Sequence, residues 1–199
     1  LLAIGLPLRF FDVGGGIGIA YKNEQTFALY DYAQMILANL SGLDVTIICE
    51  PGRFLVGNSG FFVCSVLYEK TTQSKRFVIV DGAMNDLVRP TLYQAYHDVA
   101  LWRNGWLADN GSACDIVGPI CESGDWLAKD VALPPLQNGD LIVFKGAGAY
   151  GMAMASNYNS RPRAAEVAFD DTGKIWQIRT RESMENLWAL ELPFLNAQS

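Results

Sequence analysis

Apolar and polar positions along this chain follow two rhythms, and the change between them comes once. Leu8-Arg-Phe-Phe-Asp-Val13 is a short, mostly apolar run that breaks into Gly14-Gly15-Gly16-Ile-Gly18, which predicts a buried strand ending in a glycine turn. Phe27, Tyr30, Ala33, Ile36, Leu37 and Leu40 then recur at helical spacing, with Thr26 ahead of them and Gly42 just behind. An amphipathic helix of about four turns is expected, capped by Thr26. Asp44-Val-Thr-Ile-Ile-Cys49 is almost continuously apolar, the pattern of a parallel strand covered on both faces. Residues 8–49 therefore predict one β-α-β unit.

After Phe54 the helical period is lost. Strands are expected over residues 60–68, 76–81, 113–117, 141–144, 164–169 and 174–179, separated by turn signals at Lys70-Thr-Thr-Gln-Ser-Lys75, Asn138-Gly139 and Asp171-Thr-Gly173. Short helices fit residues 89–96 and 181–188. The expected fold class is α/β followed by β, with residues 1–59 in a parallel α/β domain and 60–199 in a mostly antiparallel, β-rich domain. Two parallel strands do not make a stable sheet alone, so the remainder of the first domain is expected upstream. A first residue that is Leu rather than Met points the same way.

Composition narrows the class. Of 199 residues, 50% are hydrophobic and 18% charged, which fits a soluble globular chain. A net charge of −6 without a basic cluster argues against nucleic acid or an anionic membrane as partner. No apolar run approaches the ~20 residues of a membrane span, and the opening Leu1–Phe10 stretch is a poor secretion signal. Cys49, Cys64, Cys114 and Cys121 show no C-x-x-C spacing, and His97 is the only histidine, so no zinc cage and no metal site is expected. Cys49 and Cys64 lie in apolar runs and read as small core residues. A reduced, cytoplasmic protein is expected.

Candidate chemistry gathers at turns. In parallel α/β folds, ligands bind at the C-terminal strand ends. Here those ends carry Gly14-Gly15-Gly16, whose amides can approach an anion closely, and Glu50-Pro51-Gly52-Arg53. Arg53 and Arg89 suit bidentate carboxylate binding, or are solvated surface charges. Tyr150, within Gly146-Ala-Gly-Ala-Tyr-Gly151, can pack against and hydrogen-bond a ligand, or close a tight turn. Gly118-Pro-Ile-Cys-Glu-Ser-Gly-Asp125 presents a thiol beside a carboxylate on a loop, or holds a half-buried cysteine. His97 reads as a structural, hydrogen-bonded or exposed histidine.

Five motifs in order, Phe11-Asp-Val-Gly-Gly-Gly16, Glu50-Pro-Gly-Arg53, Asp81-Gly-Ala-Met-Asn-Asp-Leu-Val-Arg-Pro90, Gly118–Asp125 and Gly146–Gly151, closely resemble the diaminopimelate decarboxylases. These belong to the pyridoxal-phosphate enzymes of the alanine-racemase-like, ornithine-decarboxylase-related group. The match runs from about Phe10 to Leu192. It implies the last part of a (β/α)8 barrel followed by a β-rich domain, pyridoxal 5'-phosphate as cofactor, and decarboxylation of meso-2,6-diaminopimelate to L-lysine.

By that resemblance, Gly14, Gly15, Gly16 and the Glu50-Pro51-Gly52-Arg53 turn hold the cofactor phosphate. Glu50 pairs with the pyridine nitrogen, and Tyr150 meets cofactor and substrate. Arg53, Arg89, Tyr93 and Glu122 match the positions that bind the substrate's far end, and Cys121 matches the residue proposed to reprotonate the α-carbon. Glutamate rather than aspartate after the cysteine favours diaminopimelate over ornithine. The Cys-Glu loop is expected to reach a partner's site in a homodimer. The family's Schiff-base lysine precedes the glycine triplet, and none of Lys22, Lys70, Lys75, Lys129, Lys145 or Lys174 lies in a matching motif. This chain is therefore expected to be inactive alone. Two other readings stay open: a decarboxylase of ornithine, arginine or a carboxynorspermidine-type polyamine precursor, and a non-catalytic homologue.

Overall fold

A computed structural model describes Gly5 and residues 7–196. The rest of the opening stretch, which bears on the secretion-signal reading, lies outside the described residues. The first rhythm folds as anticipated, in shorter elements. Strand β1 (Phe10–Asp12) pairs in parallel with β2 (Thr46–Ile48), and helix α1 (Leu29–Leu40) connects them. The helix starts after Ala28, and no side chain caps it. Thr26 is therefore not the cap. Instead Phe27 stacks on Tyr32 with ring centroids 5.6 Å apart, a hydrophobic staple between the residue before the cap and the fourth helical position.

Cover on both faces of β2 is not observed: β1 is exposed throughout and α1 buries no residue. Among the described residues nothing packs over the outer side of this unit. Cys49, expected in a core, is exposed for the same reason.

The second rhythm builds a seven-stranded mixed sheet. Its strands are β3 (Phe62–Thr71), β4 (Arg76–Val80), β5 (Val99–Arg103), β6 (Trp106–Ala108), β7 (Ser112–Val117), β8 (Trp126–Leu133) and β9 (Leu141–Phe144). Their spatial order is β6-β5-β9-β3-β4-β7-β8, and all neighbours are antiparallel except β4 and β7. Period-two alternation turns Cys64 and Val66, Val78 and Val80, Ile142 and Phe144 into one core with Leu101, Ile116, Leu127 and Leu133. Helix α2 (Gly52–Val56) leads from β2 toward this sheet, and α3 (Arg89–Tyr93) follows β4. A separate hairpin of β10 (Glu166–Phe169) and β11 (Ile175–Arg179) precedes α4 (Met184–Trp188) and α5 (Leu192–Asn196).

Close backbone approach fixes the loop after β9. A side chain on Gly148 would lie 1.9 Å from the Val56 carbonyl oxygen, and one on Gly60 would lie 2.4 Å from Gly148 Cα. Only glycine at both positions lets the Gly146–Gly151 loop lie on the chain between α2 and β3, and the Ala147 and Gly148 amides donate there to Gly60 and Gly57.

A strand-tip cavity and the loops around it

The residues after β1 and β2 meet at one end of the parallel pair. The Glu50 amide donates to the Gly14 carbonyl, and the Gly14 amide donates to the Asp12 carboxylate. Gly15 passes so close to Glu50 that a Cβ on it would lie 2.5 Å from the Glu50 carbonyl oxygen. This packing opens a cavity of about 390 Å³ lined by Gly15, Gly16, Ile17, Gly18, Glu50, Pro51, Gly52, Arg53 and Tyr150. Seven of the residues singled out in the sequence thus face one space, and Gly14 braces it from behind.

Its electrostatic character favours an anion. Among the described residues no oxygen accepts from the amides of Gly15 or Gly16, and Arg53 forms no ion pair. The Arg53 guanidinium instead lies 5.4 Å from the centre of the Tyr150 ring. Tyr150 itself has a positive φ of 59°, a rare conformation for a bulky residue outside functional turns. Free amides, a guanidinium and an aromatic face suit a phosphorylated, flat ring such as pyridoxal phosphate, with Glu50 as the acid among them.

The remaining predicted residues stand elsewhere. Arg89, Tyr93, Cys121 and Glu122 do not line this cavity. Arg89 and Tyr93 are the ends of α3, with Arg89 buried and Tyr93 exposed. Cys121 is exposed, and Glu122 accepts from the Tyr158 hydroxyl at 3.5 Å. The two groups are joined structurally, because the Thr91 hydroxyl on α3 donates to the Gly124 carbonyl.

Sequence reasoning missed the residue that shapes the cysteine loop. Asp125 is buried, and its carboxylate accepts from the amides of Met84 and Ile120, each at 2.7 Å. Burial pushes its pKa up while those two amides pull it down. Beside it Arg161 donates to Asn85 Oδ1 at 2.9 Å and to the Asp81 carbonyl. The Asn85 side-chain amide donates to the Ser156 carbonyl. The Asp81–Pro90 motif is thus largely a fastener between loops, signalled only by its dense Gly, Asn and Asp content. His97 is buried and hydrogen-bonded, the structural option of its sequence reading.

The sheet domain places the molecule among pyridoxal-dependent decarboxylases. The family described as "Pyridoxal-dependent decarboxylase, C-terminal sheet domain" matches residues 22–148, and the chain belongs to it. More particularly, the chain is similar to the diaminopimelate decarboxylase of Campylobacter jejuni, 56% identical over 198 residues, covering 99% of this chain and 48% of that protein. The crystal structure of Helicobacter pylori diaminopimelate decarboxylase complexed with L-lysine superposes with a TM-score of 0.89 at 55% identity, over 96% of this chain and 47% of that one. A lysine/ornithine decarboxylase from Vibrio vulnificus complexed with cadaverine is more distant, with a TM-score of 0.71 at 28% identity over 82% of this chain and 44% of that one. The chain spans about half the length of the curated relatives it matches.

Proposed function

We propose that this chain is the C-terminal part of a pyridoxal-phosphate-dependent decarboxylase that converts meso-2,6-diaminopimelate to L-lysine, the last step of lysine biosynthesis. The observation that carries the reading is the cavity between Gly15-Gly16, Glu50–Arg53 and Tyr150, in a chain whose relatives bear that activity in their names. Residues 1–59 are the last part of the cofactor-binding barrel, and 60–199 the β-rich domain.

Pyridoxal phosphate, when bound, supplies the electron sink for the pair left as carbon dioxide departs. This chain's residues do the rest. The Gly14–Gly16 and Pro51–Arg53 backbones and the Arg53 guanidinium would hold the phosphate, and the Glu50 carboxylate would pair with the ring nitrogen. Tyr150 packs on cofactor and substrate. The substrate's second amino-acid end needs cations for its carboxylate and an anion for its ammonium. Arg53 and Arg89 serve the first, with the Tyr93 hydroxyl as a further hydrogen-bond donor to that carboxylate, and Glu122 serves the second. Cys121 returns a proton to the α-carbon. The exposed Cys121–Glu122 loop leaves room for a homodimer in which it completes the partner's site, in the cytoplasm.

The test is made in a protein spanning the relatives' full length, with this chain as its C-terminal part and pyridoxal phosphate added. L-Lysine and carbon dioxide are expected from meso-diaminopimelate, and not carbon dioxide from lysine, ornithine or arginine. Release from ornithine or arginine instead would overturn the substrate assignment, and release from none would favour a non-catalytic homologue.

A further inference from the structure

Among the described residues Arg89 is the one buried arginine, and no carboxylate pairs with it. It is 6% exposed and forms no ion pair among the described residues, whereas Arg76, Arg103, Arg161, Arg163 and Arg179 each meet an acid. Its partners are all neutral. One terminal nitrogen, Nη1, donates to His97 Nε2 at 3.0 Å. The guanidinium carbon lies 4.7 Å from the centre of the Tyr21 ring, and that ring meets the His97 ring edge-on at 5.6 Å. A guanidinium can only donate, so Nε2 must carry the lone pair. The other ring nitrogen, Nδ1, lies 2.9 Å from the Lys145 carbonyl oxygen, which can only accept, so Nδ1 carries the hydrogen. Geometry alone therefore fixes His97 as a neutral imidazole in one tautomer. Burial pushes its pKa down, and the adjacent guanidinium adds to that against the pull of the Lys145 carbonyl.

We propose that His97 is a positioning residue that holds Arg89 in place while leaving its charge uncompensated for an incoming carboxylate. A buried cation is ordinarily paired with an anion. Here the fold supplies a neutral acceptor and an aromatic face instead, which orient the guanidinium without cancelling its charge. The incoming group is the substrate carboxylate remote from the bond that breaks, so the inference rests on the decarboxylase reading. Tyr21 belongs to the assembly, because its ring also lies 3.3 Å from where a Gly146 side chain would stand. The support for Arg89 is thereby tied to the loop that carries Tyr150.

The discriminating variant is His97→Glu. An acid there suits a structural role at least as well as histidine does, since it would pair with the buried arginine, but it would neutralise the charge the substrate needs. His97→Gln keeps a neutral acceptor for Arg89. In the full-length, pyridoxal-phosphate-loaded protein, binding of L-lysine, which has a carboxylate, and of cadaverine, which has none, is measured by calorimetry. KM and kcat for meso-diaminopimelate and melting temperatures are measured alongside.

His97→Glu is expected to melt no lower than wild type, yet to weaken L-lysine binding and raise KM roughly tenfold or more, with cadaverine binding unchanged. His97→Gln is expected to stay within about threefold of wild type on both. Wild-type L-lysine affinity in His97→Glu would overturn the inference, as would equal losses for L-lysine and cadaverine. Failure of the unaltered protein to release carbon dioxide from meso-diaminopimelate would instead strike the functional reading beneath it.

Discussion

At Gly15 the two strand tips pass too close together to admit even a methyl group. A Cβ there would lie 2.5 Å from the Glu50 carbonyl oxygen, so Gly15→Ala must push the two strand tips apart. The expected result is a loss of about 1–3 kcal/mol in stability and a clear weakening of pyridoxal-phosphate affinity, read by absorbance titration of the full-length protein. Unchanged affinity would remove Gly15 from the cofactor cradle. That these residues meet at the strand tips was legible in the sequence, because glycine runs and a Glu-Pro-Gly-Arg turn at strand ends are local features. It did not show His97 as the partner of Arg89 or Asp125 as the post of the cysteine loop. Both roles depend on groups far away in sequence, the Lys145 carbonyl and the Met84 amide, which no spacing rule connects.

At the scale of elements, the connector between the cysteine-side loops and the final hairpin is held by one acid. Glu182 accepts from Arg163 Nε at 2.7 Å, from the Arg163 amide and from Asn157. Those bonds hold its pKa at about 2 against an ordinary 4.5. Its folded value is depressed, so its stabilising contribution is complete above about pH 4.5 and lost as pH falls toward 2. The pair is partly exposed, which limits the contribution to about 1 kcal/mol. Glu182→Gln should therefore lower the melting temperature at pH 7 and flatten its fall between pH 4.5 and 2. An identical pH profile would show that the connector is held by other contacts.

The elements missed in sequence have particular causes. Strands β5 and β6 are joined by Asn104-Gly105, both at positive φ. This is a two-residue hairpin turn whose Asn-Gly signal lies in a segment to which the sequence reading assigns no element. Strand β8 carries a register shift at Lys129-Asp130, with Asp130 at a positive φ of 53°, and that polar pair breaks the alternation on which recognition depends. By contrast β9, a run of four apolar residues after Asn138-Gly139, coincides with its expected bounds.

Over the whole molecule, apolar surface is distributed unevenly. The sheet domain encloses a core, but α1 has no buried residue, and β1, Phe27, Tyr30, Met35 and Leu37 all stand exposed. The β10–β11 hairpin likewise presents Val167, Phe169, Ile175 and Ile178 to solvent. Such patches mark interaction surfaces or association hazards. Isolated, the 199-residue chain is expected to self-associate in sedimentation or light scattering, and a monodisperse monomer with a cooperative melt would contradict that. The unclothed β-α-β unit also explains why the sequence overstated burial there. Its apolar pattern reports a covered environment, whereas the described residues contain nothing that covers it.

The most direct measurement is carbon dioxide release from meso-diaminopimelate with pyridoxal phosphate, comparing the full-length protein, its Cys121→Ala variant and the 199-residue chain alone. Release by the full-length protein, loss of most of it in Cys121→Ala, and none from the isolated chain are the predicted results. Release by the isolated chain, or undiminished turnover without the Cys121 thiol, would contradict the account.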